Sequence, residues 1–321
     1  MAHIARSVLC LLSLMPAAIP YWLAERGAGL VQRLSPVKRH TTERNLRRCY
    51  PELDPERHER WVRESFKHYF CSVLETGHNW YGPVDRMQER CEGAVNEALL
   101  TDAIASRRGA LVLAPHFGAW EYLGIYLQKF SAVAILYKPP SHPGLERALV
   151  EKRERGGAEL IPATPSGLRR LYAHLRAGGA AGVLPDQHPS RGRGRFAPFF
   201  GIPALTGVLV PRLVQRMNCT VLSIACERLP RGRYRVHFLP VDQSIYSDDL
   251  ITSLTAVNRA VEDCIAIDPP QYLWSYRRFR TRQRSPEESA AGAPRRHPPP
   301  PPPNSAGICF LPQRSTLAPP V

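Results

Sequence analysis

The stretch Ala110-Leu-Val-Leu-Ala-Pro-His-Phe-Gly-Ala-Trp-Glu121 carries the reading of the fold. Its first five residues are uninterruptedly apolar, the pattern of a short strand buried on both faces. Pro115 ends the run, Gly118 permits a tight turn, and 120–128 has helical patterning. Strand, turn and helix in succession are the building unit of an α/β layer fold.

The same alternation extends outward. Strand-like runs lie at 133–137, 181–184, 220–226 and 234–239, and helical patterns at 145–155, 166–177, 207–217 and 251–267. The expected fold is α/β, a mixed and largely parallel sheet flanked by helices. Upstream, Asp54-Pro55-Glu56 reads as an N-cap, a proline at the first helical position and an acidic first turn. A helix over 56–80 follows, with Trp61, Phe66, Tyr69, Phe70, Val73 and Leu74 as the expected buried positions.

The 321 residues fall into three compositional zones. Residues 4–23 hold 15 apolar residues in 20, long enough for a bilayer core, and a basic flank follows from Arg26 to Arg48. Residues 1–25 are therefore expected to be a membrane-anchoring or interfacial helix, with the body on the cytoplasmic side. Residues 26–284 form the globular body. Residues 285–321 hold 11 of the 32 prolines, including the run Pro298 to Pro303, and are expected to be disordered and dispensable. The formal charge is +15, and five Arg against two Glu beyond residue 280 leave +12 on the body. Such a surface suits an anionic partner: nucleic acid, an acidic membrane or a phosphorylated substrate. The eight cysteines form no C-x-x-C pair and read as reduced thiols.

Several sites are absent from the sequence: a P-loop, a dinucleotide fingerprint, a G-x-S-x-G elbow and H-E-x-x-H. Arg191-Gly-Arg-Gly-Arg195 has neither the interleaved aromatics of a nucleic-acid platform nor a strand–turn–helix context. What remains is His116 with Glu121. Eleven His and 28 acids in 321 residues make about one such pair expected by chance, and the chain has two. The other, His237 and Asp242, spans a strand and the turn after it. On one helix, residues five apart are rotated by about 140° and cannot meet. With His116 in the loop and Glu121 in the first helical turn, the imidazole can fold back onto the carboxylate. Glu121 would fix the tautomer and leave the other ring nitrogen as a general base. No Ser or Cys nucleophile stands beside the pair, which points to a hydroxyl supplied by the substrate.

Leu113-Ala-Pro-His-Phe-Gly-Ala-Trp-Glu121 resembles the first block of the lysophospholipid acyltransferase superfamily, and more closely the lauroyl/myristoyl acyltransferases of lipid A synthesis. Further blocks agree in order. Tyr137-Lys-Pro-Pro140 leads to Leu149-Val-Glu-Lys-Arg-Glu-Arg-Gly156. Leu184-Pro-Asp-Gln-His188 precedes Phe196-Ala-Pro-Phe-Phe-Gly-Ile-Pro-Ala-Leu-Thr206. Gln271-Tyr-Leu-Trp274 and Arg277-Arg-Phe279 close the pattern, and Arg44-Asn-Leu46 with Tyr50-Pro-Glu-Leu53 is similar to the family's basic N-terminal helix. The resemblance covers roughly residues 5–282. It implies the fold of the glycerol-3-phosphate acyltransferases and direct transfer, in a ternary complex, of a fatty acyl chain from acyl carrier protein to a hydroxyl of a phosphorylated lipid A precursor. It implies late acylation in lipopolysaccharide synthesis at the cytoplasmic face of the bacterial inner membrane, with no cofactor, metal or nucleic acid. His116 and Glu121 would be catalytic; Arg153, with Arg155 as its nearest competitor, and Asp186 would bind substrate. The main alternative within the superfamily is transfer to another membrane amphiphile: a glycolipid, an ornithine lipid or a polyene. A hydrolase whose dyad activates water is a further alternative.

Overall fold

The computed structural model describes residues 2–280 except 17, 131–132, 141–142 and 156. The Pro-rich segment from 285 onward lies outside the described residues.

The chain begins with helices α1 (Ala2–Leu14) and α2 (Ala18–Leu34), followed by α3 (Pro36–Cys49) and α4 (Pro55–Tyr81). The expectation of one anchoring helix over 1–25 is corrected here. The apolar run is broken after Leu14, beside Pro16, and the two helices are bent by 115°. Among the described residues, no single helix is long and apolar enough to cross a membrane. Both helices pack on α4. At the contact with α1, a Cβ on Gly77 would lie 2.6 Å from the Leu9 carbonyl oxygen, so only glycine allows this approach.

Helix α4 starts as its sequence predicts: the Asp54 side chain accepts from the Arg57 N–H at 2.8 Å, and Pro55 takes the first turn. Its buried face differs from the expected one. Of the six predicted positions only Phe66 is buried, Trp61, Tyr69, Phe70 and Leu74 are half-buried, and Val73 is 47% exposed. The helix instead buries His68, Cys71, Glu75 and His78. The reason is Arg228, whose side chain is fully buried against this stripe. It donates to Glu75 from Nε (3.0 Å) and Nη2 (2.8 Å), to Ser72 Oγ (3.1 Å) and to His68 Nδ1 (3.1 Å). Burial, and then the charge of Arg228, lower the His68 pKa, so this ring is neutral and its Nδ1 accepts a hydrogen bond from the guanidinium. Removing one partner of such a pair leaves a buried charge uncompensated. Glu75→Ala is expected to destabilise the protein by about 3–5 kcal/mol, read as a fall in its chemical-denaturation midpoint. A change below about 1 kcal/mol would contradict this reading of the network.

The body is a seven-stranded sheet. Its strands are β1 (Cys91–Val95), β2 (Ala110–Leu113), β3 (Val133–Tyr137), β4 (Glu159–Pro162), β5 (Ala180–Val183), β8 (Thr220–Leu229) and β9 (Arg233–Pro240); β6 (Gly194–Phe199) and β7 (Ile202–Gly207) form a separate hairpin. The order is β1-β9-β8-β2-β5-β3-β4. Strands β8, β2, β5, β3 and β4 are mutually parallel; β9 runs against β8, and β1 pairs parallel with β9. The mixed, largely parallel sheet is thus as expected. Helices α5 (Val84–Gln88), α6 (Ala98–Ala105), α7 (Leu123–Tyr126), α8 (Pro143–Glu154), α9 (Pro165–Arg176), α10 (Leu209–Met217) and α11 (Leu250–Ala266) complete the layers.

Strand β2 shows why the sheet is central. Ala110 and Val112 pack with Leu100 of α6 and with Leu123 and Tyr126 of α7 on one face. Leu111 and Leu113 pack with Leu171 of α9, Leu213 of α10 and Val257 of α11 on the other. Period-2 side chains make this division, and each fully buried Leu or Val contributes about 1.5–3 kcal/mol. A third core joins Leu46 of α3, Phe66 of α4 and the rings of Phe117, Phe199, Tyr272 and Trp274.

Candidate active site

His116 and Asp186 occupy matching positions. Strands β2 and β5 are parallel neighbours with Leu113 opposite Val183. His116 stands three residues beyond the end of β2, and Asp186 three residues beyond the end of β5, each just after a proline. Parallel neighbours in register therefore deliver the two side chains to one spot at the carboxyl edge of the sheet, where open α/β sheets place their ligands. His116 Nδ1 lies 2.8 Å from Asp186 Oδ1, and the His116 backbone N–H donates to Oδ2 at 2.9 Å.

The acid against the imidazole is therefore Asp186, and the expected His116–Glu121 pairing is corrected. The turn after His116 carries Glu121 into a short 3-10 segment, Trp120–Tyr122, ahead of α7. There its carboxylate takes Arg153 of α8 in a two-point pair, Nε at 3.1 Å and Nη2 closer still. The single helix expected over 120–128 is likewise replaced by 3-10, α and 3-10 turns. Glu121 and Arg153 line a cavity of about 70 Å³ whose other walls include Trp80, Trp120, Gly124, Ile125, Ile135 and Leu184. Trp120 also lies beside the imidazole, with ring centroids 5.4 Å apart.

Arg155, the other arginine of this block, lines the same cavity. Its guanidinium donates to the carbonyls of Gly82 (2.5 Å), Asn79 (2.8 Å) and His78 (3.4 Å), capping the C-terminal end of α4.

Burial of His116 works against its charged form, but the charge of Asp186 and its hydrogen bond outweigh this and raise the imidazole pKa. Burial likewise opposes the Asp186 carboxylate; His116 outweighs it and holds that pKa low. With Nδ1 facing a carboxylate, the neutral ring carries its proton there, and Nε2 has the free lone pair. The Gln187 amide lies 2.9 Å from Nε2 and donates to it in this tautomer.

The loop bearing His116 is pinned from three sides. Leu273 N–H donates to the His116 carbonyl (3.0 Å), Gly118 N–H to the Gln271 carbonyl (3.0 Å), and Ala119 N–H to the Cys226 carbonyl (2.9 Å). Arg228 adds a bond to the Gly118 carbonyl at 3.0 Å. Gln271 clasps the Arg228 backbone at both N–H (2.8 Å) and C=O (2.9 Å). Gly118 has φ +54°, and a Cβ there would stand 1.9 Å from the Cys226 oxygen, so the turn needs glycine. Gln187, Arg228, Glu75 and Gln271 were not singled out as site residues from the sequence. A signal for the His116–Asp186 pair was present: Ala114-Pro-His116 and Leu184-Pro-Asp186 end two apolar runs in the same way.

Residues 1–281 match the family model described as bacterial lipid A biosynthesis acyltransferase. The chain belongs to this family. It is 27% identical over 278 residues to the lipid A biosynthesis lauroyltransferase of Escherichia coli (strain K12), covering 86% of this chain and 90% of that one. The palmitoleoyltransferase of the same strain is 26% identical over 279 residues, covering 86% and 89%. A lipid A biosynthesis acyltransferase of Haemophilus influenzae is 27% identical over 286 residues, covering 86% and 88%. The protein is thus an acyltransferase of lipid A biosynthesis. In this acyltransferase, sequence blocks far apart along the chain meet at one point: His116 from the first, Asp186 and Gln187 from the third, and Gln271 and Leu273 from the last.

Proposed function

We propose that this acyltransferase moves a fatty acyl chain from the thioester of an acyl carrier protein directly to a hydroxyl of a phosphorylated lipid A precursor, with His116 as general base. The observation that carries the reading is the Nδ1–Asp186 hydrogen bond, which fixes the ring proton on Nδ1 and leaves Nε2 as the accepting nitrogen. Nε2 takes the proton of the acceptor hydroxyl as the oxygen adds to the thioester carbonyl. The tetrahedral intermediate collapses with cleavage of the C–S bond, and the leaving thiolate takes the proton from the imidazolium. Asp186 holds the ring and balances its charge. Arg153, fixed by Glu121, retains N–H donors for the developing oxyanion. Among the described residues the ring nitrogens meet a carboxylate and an amide rather than a hydroxyl or thiol, which favours a ternary complex over an acyl-enzyme.

The bent N-terminal pair supports work at a lipid surface. Leu11, Leu14, Trp22, Leu30 and Leu34 are exposed, and Arg26, Arg33 and Lys38 lie along the same segment. Apolar side chains entering the interface with flanking cations suit a helix lying on the anionic cytoplasmic leaflet of the inner membrane, each cation adding about 1 kcal/mol.

The test is incubation of the purified protein with acyl carrier protein bearing a labelled chain and a phosphorylated disaccharide precursor. The expected product is the precursor heavier by one acyl group. Acylation of an ornithine lipid, another glycolipid or a polyene instead would favour the alternative acceptor, and free fatty acid alone would favour a hydrolase.

Gln187 gives this mechanism a sharper check. Its amide covers Nε2 in the resting chain and must yield to the acceptor hydroxyl; until then it keeps water from the base. Gln187→Ala is expected to raise the ratio of free fatty acid to acylated acceptor about tenfold, the worth of roughly one hydrogen bond. An unchanged ratio would remove Gln187 from the mechanism.

A further inference from the structure

A second basic site stands apart from the His116–Asp186 pair. Between α3 and the closing segment lies an open cleft of about 540 Å³, lined by His40, Arg44, Arg277 and Arg280 together with Val37 and Phe279. Among the described residues, no carboxylate lines it. The nearest acid along α3, Glu43, is committed to Arg39 at 2.7 Å. Among the described residues, no carboxylate pairs with Arg44, Arg277 or Arg280. Arg44 Nε is buried without a hydrogen-bond partner. A buried charged donor left unpaired is costly, and three guanidinium groups lining one cleft repel one another. An anion entering the cleft relieves both. Guanidinium forks match the oxygens of a phosphate, which they can grip two at a time.

The surroundings narrow the class of anion. Val37 of the cleft wall is 60% exposed, and Leu34, just before it in the chain, is 74% exposed, so apolar side chains accompany the cations. The wall opposite α3 also borders the active site. Asn45 of α3 donates to the carbonyls of Trp274 and Tyr276, both at 2.8 Å. The Tyr276 hydroxyl accepts from the His188 N–H, two residues beyond Asp186, at 2.8 Å. The segment that carries Arg277 and Arg280 is thus tied, through Tyr276, to the loop that follows Asp186.

We propose that this cleft binds a phosphate group carried on a lipid headgroup and thereby sets where the acceptor lies while its hydroxyl reaches His116. The inference rests on the acyltransferase reading and adds a subsite to it. The phosphate can belong to the acceptor itself or to a neighbouring phospholipid, and the two sources separate experimentally.

The test uses the full chain with Arg277→Gln and Arg280→Gln combined. Both side chains are exposed, so folding is spared; Arg44→Gln serves as the inward-facing counterpart. In neutral detergent, KM is measured for the phosphorylated disaccharide acceptor and for its dephosphorylated form. In parallel, flotation is measured on phosphatidylcholine vesicles with and without phosphatidylglycerol. If the acceptor supplies the phosphate, KM for the phosphorylated form rises about tenfold or more, while its kcat and the KM of the dephosphorylated form hold. If a phospholipid supplies it, both KM values hold, and binding to phosphatidylglycerol vesicles falls by about that factor. The double variant Arg191→Gln/Arg193→Gln, which removes the same charge from another exposed loop, should reproduce neither effect. Unchanged KM values with unchanged flotation, or equal losses in the control pair, would overturn the proposal. Flotation needs no turnover, so this result stays separate from any failure of the transfer assay itself.

Discussion

His116→Ala is expected to lower acyl transfer by about 10³–10⁴-fold, with KM for either substrate little changed. The imidazole makes its hydrogen bonds to Asp186 and Gln187, and its loop is held by backbone bonds from Gln271, Leu273 and Cys226 that alanine preserves. Loss of the ring therefore removes the base without dismantling the turn. An alcohol hydroxyl has too weak an acidity to attack a thioester unaided near neutral pH, so kcat bears the loss. Single-turnover transfer of labelled chain to the acceptor is the measurement. Turnover within about threefold of the unaltered protein would exclude His116 as the base.

Asp186→Asn is the more discriminating change, with an expected loss of about 10³–10⁴-fold in kcat. Asp186 accepts two N–H groups, the ring Nδ1–H and the His116 backbone N–H. An asparagine keeps the shape and only one acceptor. If its oxygen stays on the backbone N–H, its NH₂ faces Nδ1, and the imidazole must carry its proton on Nε2. Nε2 is then a donor and can take nothing from the acceptor hydroxyl. Were Glu121 the orienting acid, this exchange would cost little and Glu121→Gln would carry the large loss. The two-point pair between Glu121 and Arg153 points the other way.

The parts of the fold that were legible were those whose physics is local. Strands β2, β3, β5 and β8 hold apolar runs, β9 alternates, and α9 and α11 carry plain helical periodicity. Strand β1, Cys91–Val95, has no buried residue, and β4 has only Leu160 and Ile161 between Glu159 and Pro162, so neither stands out from its neighbours. The β6–β7 hairpin carries Pro198 opposite Pro203, residues that argue against strands unless the pair forms its own two-stranded unit, as it does. Hydropathy read residues 4–23 as one span because it averages over Pro16, whereas the chain bends there.

The candidate site was half legible for a related reason. His116 announces itself by ending a buried strand at a glycine turn. Its partner was sought nearby in sequence, and the acid that meets it comes from the neighbouring strand, 70 residues away. Only strand order brings β2 beside β5, and strand order is a tertiary fact. Arg228 and Glu75 were invisible for the same cause: 153 residues separate them, and each alone reads as surface charge.

The pH dependence of kcat/KM, measured for the unaltered protein and for Asp186→Asn, tests most directly that an imidazole held by Asp186 is the base. Because Asp186 raises the His116 pKa, transfer should fall as pH drops through a value above the ordinary 6.5 of an imidazole, the protonated ring being unable to accept. In Asp186→Asn the residual activity should lose its acid limb to lower pH. An acid limb at the same pH in both proteins would contradict the account.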